Sequence, residues 1–274
     1  INYLIFTDMD GTLLDHHSYS FQPAVPMLEQ LEQHNIPVIP NTSKTFAELM
    51  TLREKIKLDT PFIVENGAAV YIPKTTFPKP EDTTSDGDYW VKAFSKPRQF
   101  WLVLLAQYAG DFKSCYKGFS DMTDDELSLA TGLSLKDAHL ANTRQFSEPL
   151  NWLGDEKQKS DFTIKMQAAG ANVLQGGRFV HISGKCNKGI AMNWLSAQYE
   201  KYYKLDNAKQ ITKNVGLGDS FNDNDMLEAA DIAVQIKSPK HSYPELFRTD
   251  NLWQSTKTGP AGWTECLQQI LKLN

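Results

Sequence analysis

The feature that most constrains the fold is the way the apolar runs of this chain end. Tyr3–Thr7 is a short apolar strand candidate that passes directly into Asp8 and Asp10, two acids at i and i+2, followed by Gly11 and Thr12. A second apolar run, Ile211–Leu217, closes in a similar way on Gly218-Asp219-Ser220-Phe221-Asn222-Asp223. Short apolar runs separated by helical stretches are the pattern of a parallel sheet wrapped on both faces. In open sheets of that kind ligands bind beyond the carboxyl ends of the strands. Both acid clusters are therefore expected on the working edge.

The remaining pattern fills in the architecture. Ala24–His34 and Phe46–Lys57 carry helical periodicity, Ile36–Pro40 and Pro61–Val64 are further strands, and Asn66-Gly67 predicts a hairpin into Ala68–Ile72. Pro73–Asp88 has no apolar period and reads as a linker. Beyond it, helices are predicted at Pro97–Tyr108, Asp124–Thr131, Leu135–Asn142 and Glu156–Ala169, the second opened by the capping box Thr123-Asp124-Asp125-Glu126. Strand-like pieces at Pro149–Leu153, Ala171–Leu174 and Arg178–Ile182 intervene. The sheet pattern then resumes with a helix at Lys188–Tyr203, a short helix at Asp223–Ala230, a strand at Ile232–Ile236 and a terminal helix at Gly262–Leu273. The expected fold class is α/β: a Rossmann-like doubly wound core from 1–80 and 183–274, interrupted by an inserted α+β domain over 81–182.

Charge narrows the partners. The 274 residues carry 28 basic and 33 acidic side chains, a formal charge of −5. Nucleic acid and anionic membranes both call for a large basic surface, so neither is an expected partner. A small anionic ligand needs only a local cluster of donors. No apolar run approaches the roughly 18 residues of a membrane-spanning helix, and Ile1–Phe6 reads as a buried strand instead of a signal peptide. Cys115, Cys186 and Cys266 are odd in number and lack metal-ligand spacing. They read as reduced thiols, with a cytoplasmic location expected. Oligomeric state is left open.

Two carboxylates as close as Asp8 and Asp10 repel, and a divalent cation between them resolves the conflict. Magnesium, which takes oxygen ligands and bridges carboxylates to phosphate, suits the pair. If both strand ends belong to one sheet, Asp219 completes the site. Asp223 would then either ligate the metal or orient the shell by hydrogen bonding, and an Asp there also suits helix capping. Asn41-Thr42-Ser43-Lys44-Thr45 opens a helix, where hydroxyls and amides receive an anion. Lys188 begins another helix, where its charge opposes the dipole, a local conflict that points beyond stability. Taken singly, each motif also admits a plain reading as an Asp-rich turn or a surface lysine.

Taken in order, Asp8-Met9-Asp10-Gly11-Thr12, Thr42, Lys188 and Gly218-Asp219-Ser220-Phe221-Asn222-Asp223 resemble the four motifs of the haloacid-dehalogenase superfamily. The long insertion between the second and third resembles the large α/β cap of one subgroup. A narrower likeness, to the mannosyl-3-phosphoglycerate phosphatase family, rests on five segments. These are Asn41–Thr45, Val64-Glu65-Asn66-Gly67-Ala68, Ser147-Glu148-Pro149, Gly176-Gly177-Arg178-Phe179-Val180-His181 and Gly259-Pro260-Ala261-Gly262-Trp263. Thr42 stands where that family often has serine, and Ala261 where an acid is common.

The resemblance implies Asp8 as covalent nucleophile and Asp10 as general acid and base. It places Mg2+ at Asp8, Asp10 (through its backbone carbonyl), Asp219 and Asp223, and the phosphoryl oxygens on Thr42, Ser43, Lys188 and Asn222. The implied reaction releases phosphate and mannosylglycerate, a compatible solute. For the rest of such a small phosphorylated sugar–glycerate substrate, the candidates are Lys44, Arg144, Ser147, Glu148, Gly177 and Arg178, with Arg178 favoured for a second anion. Trp90, Trp101 and Trp152 are expected to pack, with sugar stacking the lesser alternative. Other readings are a phosphatase for glucosyl-3-phosphoglycerate, sucrose phosphate or another sugar phosphate, a sugar phosphomutase, and a phospho-accepting signalling module. Asp10 and the large insertion argue against the last.

Overall fold

The computed structural model describes residues 3–176, 179–203 and 212–273. Among them no helix is long and apolar enough to cross a membrane. The chain divides into two compact units, one of Ile1–Ser43, Ile56–Lys92 and Asn187–Asn274, the other of Lys44–Lys55 and Ala93–Cys186. The boundaries expected at 81 and 182 thus differ from those of the two units, and residues 44–55 group with the second.

The first unit is built on a five-stranded parallel sheet in the order Leu252–Thr258, Ile232–Lys237, Lys213–Gly218, Tyr3–Thr7, Val38–Pro40. Successive residues Leu4, Ile5 and Phe6 are all fully buried. Successive side chains of a strand point to opposite faces, so this strand is covered on both sides, as its unbroken apolar run predicts. Thr7 lies beside Leu217 on one neighbour and Pro40 on the other. From Tyr3–Thr7 the chain moves outward to Val38–Pro40, and from Lys213–Gly218 it moves outward in the opposite direction. The crevice between these two central strands is the switch point where open sheets bind ligands. The doubly wound α/β expectation is met, and both acid clusters sit at this crevice.

One local expectation is corrected here, and one strand is new. Pro73–Asp88 is no plain linker. Thr84–Asp86 pairs antiparallel with Tyr89–Ala93, in a second sheet ordered Phe62–Val64, Ala69–Pro73, Tyr89–Ala93, Thr84–Asp86. All three residues of Thr84–Asp86 are exposed, so no apolar period marks the strand. Leu252–Thr258, the outermost parallel strand, was likewise not anticipated, because only Ser255 of its seven residues is buried.

The second unit is an α+β structure. Its antiparallel sheet runs Tyr116–Gly118, Glu148–Trp152, Phe179–Ser183, Asn172–Gly176. Helices Arg98–Tyr108 and Glu156–Ala168 contribute Trp101, Leu104, Leu105, Phe162 and Met166 to a core shared with Leu150, Val180 and Ile182 of the strands. Trp101 belongs to this core and Trp152 packs against it, the packing role expected of both. Thr123 and Glu126 form the predicted reciprocal cap at the start of Asp124–Thr131. Tyr116–Gly118 is too short to carry a recognisable pattern.

Candidate active site

The site lies within the first unit, at the ends of the two central strands. The Asp8 backbone N–H donates to the Leu217 carbonyl at 2.9 Å, which extends the parallel ladder one residue past the strand. Its carbonyl accepts from the Thr7 hydroxyl at 2.7 Å. That hydroxyl in turn accepts from the Trp263 indole N–H at 3.1 Å. An indole nitrogen only donates, so the single Thr7 proton is directed at Asp8. The nucleophile candidate is thereby clasped through both its backbone N–H and its carbonyl.

Lys188 begins the helix Lys188–Tyr203 and is fully buried. Its Nζ donates to Asp8 Oδ1 and to Asp223 Oδ1, each at 2.6 Å. Asn41 holds its backbone, donating from Nδ2 to the Lys188 carbonyl at 2.9 Å. Asp223 Oδ2 accepts from the backbone N–H groups of Asp219 at 3.0 Å and Ser220 at 2.9 Å. The Asp219 carboxylate accepts from the Ser220 hydroxyl at 3.2 Å. Gly11 turns with φ +79° so close to it that a Cβ would stand 2.6 Å from Asp219 Oδ2; only glycine fits there.

Asp8, Asp219 and Asp223 each offer a carboxylate oxygen within 4.8 Å of the others. Against these three carboxylates stands the Lys188 ammonium, so the fully ionised cluster carries two excess negative charges. Burial pushes the Asp8 carboxyl up to about 7, with Asp223 and Asp10 adding to the rise and Lys188 opposing it. Burial, with Asp223 and Asp8, pushes Asp219 up to about 8. Burial would lower the Lys188 ammonium, but the Asp223 and Asp8 carboxylates outweigh it and hold it above its ordinary value. An oxygen-rich donor set short of two positive charges fits a hard divalent cation. Within this set Asp223 is already engaged at both oxygens, whereas Asp219 accepts only from hydroxyls, those of Ser220 and, at 3.5 Å, Thr12.

Thr42 is buried and Ser43 half-buried; the Thr42 backbone bonds to the Ile63 carbonyl at 3.0 Å and accepts from Asn66 N–H at 2.9 Å. Asn222 donates to Asn66 Oδ1 at 3.0 Å. Asp10 is half-buried and its side chain stands outside the three-carboxylate group.

The remaining candidates lie in the second unit. Lys44 Nζ stands 3.9 Å from Glu48. Arg144 donates from Nε to Ser147 Oγ at 3.0 Å, both residues buried. Glu148 has no exposed surface, and it accepts from Arg98 Nε at 2.5 Å and from the Ser120 N–H at 2.8 Å. Both of its carboxylate oxygens are thus engaged by the protein. Gly177 and Arg178 lie outside the described residues.

Asn41, Asn66 and the Thr7–Trp263 pair are contributors to this geometry that motif reasoning passed over as individuals. Asn41, Asn66 and Trp263 do stand inside segments that carried the narrower likeness, which was the available signal.

Comparisons with known proteins give the family. A family profile of haloacid dehalogenase-like hydrolases matches residues 5–242. A glucosyl-3-phosphoglycerate/mannosyl-3-phosphoglycerate phosphatase of Methanococcoides burtonii is 33% identical over 275 aligned positions, covering 100% of this chain and 99% of the relative. A protein of the same description from Persephonella marina is 35% identical, covering 98% of this chain and 97% of the relative. Among solved structures, the subclass IIB sugar phosphatase BT4131 superposes with a TM-score of 0.66 at 14% identity, over 98% of this chain and 99% of that one. Its low identity speaks to the fold alone. With the profile match spanning both acid clusters and two relatives aligned over nearly the full length, the chain belongs to the family of haloacid dehalogenase-like hydrolases.

Proposed function

We propose that this enzyme is a phosphatase that hydrolyses mannosyl-3-phosphoglycerate, and its glucosyl counterpart, through a phosphorylated Asp8. The observation that carries the chemistry is the Asp8 carboxylate, held by a buried lysine beside two further acids at the switch point. The substrate rests on the names of the two full-length relatives.

In the first step an Asp8 carboxylate oxygen attacks phosphorus and the bond from phosphorus to the glycerate oxygen breaks. Asp10 gives its proton to that leaving oxygen, so mannosylglycerate departs as the alcohol. In the second step Asp10 takes a proton from water, whose oxygen attacks phosphorus and returns Asp8 as a carboxylate with free phosphate. Lys188 holds Asp8 Oδ1, fixes the plane of the carboxylate and places a positive charge beside the phosphoryl group as charge shifts. Thr42, Ser43 and Asn222 donate to the phosphoryl oxygens.

Mg2+, held by the Asp8 and Asp219 carboxylates and the Asp10 carbonyl, would neutralise charge between nucleophile and phosphate. Asp223, engaged by Lys188 and two N–H groups, orients the lysine and the loop and remains a candidate ligand beside Asp8 and Asp219. Lys44, Arg144, Ser147 and Arg178 remain candidates for the glycerate and sugar, and a cytoplasmic location remains the expectation.

The test is phosphate release with Mg2+ from mannosyl-3-phosphoglycerate, glucosyl-3-phosphoglycerate, sucrose phosphate and 3-phosphoglycerate. The two glycosyl-3-phosphoglycerates should exceed the others in kcat/KM. Preference for free 3-phosphoglycerate or sucrose phosphate would overturn the substrate.

A further inference from the structure

The turn Glu65–Gly67 places three consecutive residues in the left-handed region, with φ of 50° at Glu65, 58° at Asn66 and 87° at Gly67. Left-handed backbone is costly for any residue with a Cβ and is retained where the surroundings impose it. Here they do. The Asn66 N–H donates to the Thr42 carbonyl at 2.9 Å. Gly67 lies against the backbone preceding Lys188, where a Cβ would stand 2.1 Å from the Asn187 carbonyl oxygen. The Asn66 side chain accepts from Asn222 Nδ2 at 3.0 Å. One buried turn therefore touches the segments that carry Thr42, Lys188 and Asn222.

We propose that Asn66 is a positioning residue of the phosphate site, holding the Asn222 amide by its side chain and the Thr42 segment by its backbone. Asn222 Nδ2 has two N–H bonds. Giving one to Asn66 fixes the amide plane and leaves the other for a phosphoryl oxygen. The residue type follows from two demands at once. The backbone wants glycine, asparagine or aspartate, the residues that tolerate a left-handed conformation. The Asn222 amide wants an acceptor, which glycine lacks. Aspartate would supply one only by adding a further negative charge close to a cluster already rich in carboxylates. Asparagine alone meets both without that cost.

This inference rests on the phosphatase reading, and binding of inorganic phosphate separates the two. Wild type, Asn66→Gly, Asn222→Ala and the double variant are compared by calorimetric titration with orthophosphate in Mg2+, by KM and kcat, and by Tm. Glycine accepts the left-handed backbone, so Asn66→Gly should keep the wild-type Tm within a few degrees. Its phosphate Kd and substrate KM should rise about tenfold, the size expected when Asn222, no longer oriented by Asn66, loses its hydrogen bond to the charged phosphoryl group. The double variant should be no weaker than Asn222→Ala alone, because both substitutions remove the same interaction. An unchanged phosphate Kd in Asn66→Gly, or losses that multiply in the double variant, would overturn the assignment. A lowered Tm with unchanged Kd would make the turn merely structural. Where Asn66→Gly does not fold, Asn66→Ser serves the same measurement, its hydroxyl falling short of Asn222. A wild type that binds phosphate yet hydrolyses no phosphate ester defeats the phosphatase reading and leaves the role of Asn66 in binding to be judged on Kd alone.

Discussion

The two units bury charge in opposite ways. In the second, Glu148 has no exposed surface, and its carboxylate meets Arg98 and a backbone N–H, so the acid is matched where it stands. In the first, three buried carboxylates share a single buried ammonium, and burial drives two of the acids to about 7 and about 8. A buried charge without compensation is expensive. Such an imbalance at the mouth of a parallel sheet marks a place finished by a ligand. The contrast separates scaffold from site without reference to any relative.

The sharpest way to break it is Asp8→Asn, which keeps the shape and removes the proposed nucleophile. Turnover should fall by roughly four orders of magnitude or more, with an unaltered circular dichroism spectrum. Activity within tenfold of wild type would end the assignment. Lys188→Ala comes next, because it strips the only ammonium from the cluster and leaves buried carboxylates facing one another. Unfolding in urea should show a loss of about 3–5 kcal/mol, and kcat should drop about a hundredfold. Undiminished stability would mean that the acids are not ionised in the folded protein.

The third prediction concerns pH. The folded Asp8 and Asp219 carboxyls sit above the ordinary 3.8, at about 7 and about 8. Between 3.8 and those values the folded protein binds protons that the unfolded chain has released. Their contribution to stability is therefore complete below about pH 4 and is lost as pH rises through 7 and 8. In EDTA the Tm should decline between about pH 4 and 8 and level off above that, and excess Mg2+ should flatten the slope by stabilising the ionised acids. A flat profile in EDTA would contradict the charge imbalance.

The smallest effect is expected in the matched pair. Glu148→Gln keeps an acceptor but loses the charge facing Arg98, and should lower stability by about 1–3 kcal/mol with kcat unchanged. A raised KM at constant Tm would instead move Glu148 from scaffold to substrate contact.

Most of this site was legible because its chemistry is written in contiguous stretches at strand ends. Asp8, Asp10, Asp219 and Asp223 announce themselves beside apolar runs, and Lys188 stands out because its charge is wrong for the first turn of a helix. What stayed hidden depends on partners far apart in the chain. Nothing local indicates that Trp263 donates to Thr7 or Asn41 to the Lys188 carbonyl, and the Asn66–Asn222 pair joins residues 156 positions apart. The fold shows the same division. Buried strands were read within a residue or two, whereas Thr84–Asp86 and Leu252–Thr258, largely exposed, carry no hydrophobic signal. The helix Phe46–Ile56 follows a strand of the first unit in sequence, yet residues 44–55 group with the second; chain adjacency misleads there because packing decides membership.

The hydrogen bond from Trp263 to Thr7 spans 256 positions, and that separation sets a clock on biosynthesis. The Asp8 strand is made early, but its parallel partner Leu217 and the indole behind Thr7 emerge much later. At roughly 5–20 residues per second, the ribosome takes about 10–50 s to travel from Asp8 to Trp263. During that interval the nascent chain carries its acids without the clasp that aims them. The clasp behind Asp8 is therefore complete only once the helix Gly259–Leu271, which carries Trp263, has been made.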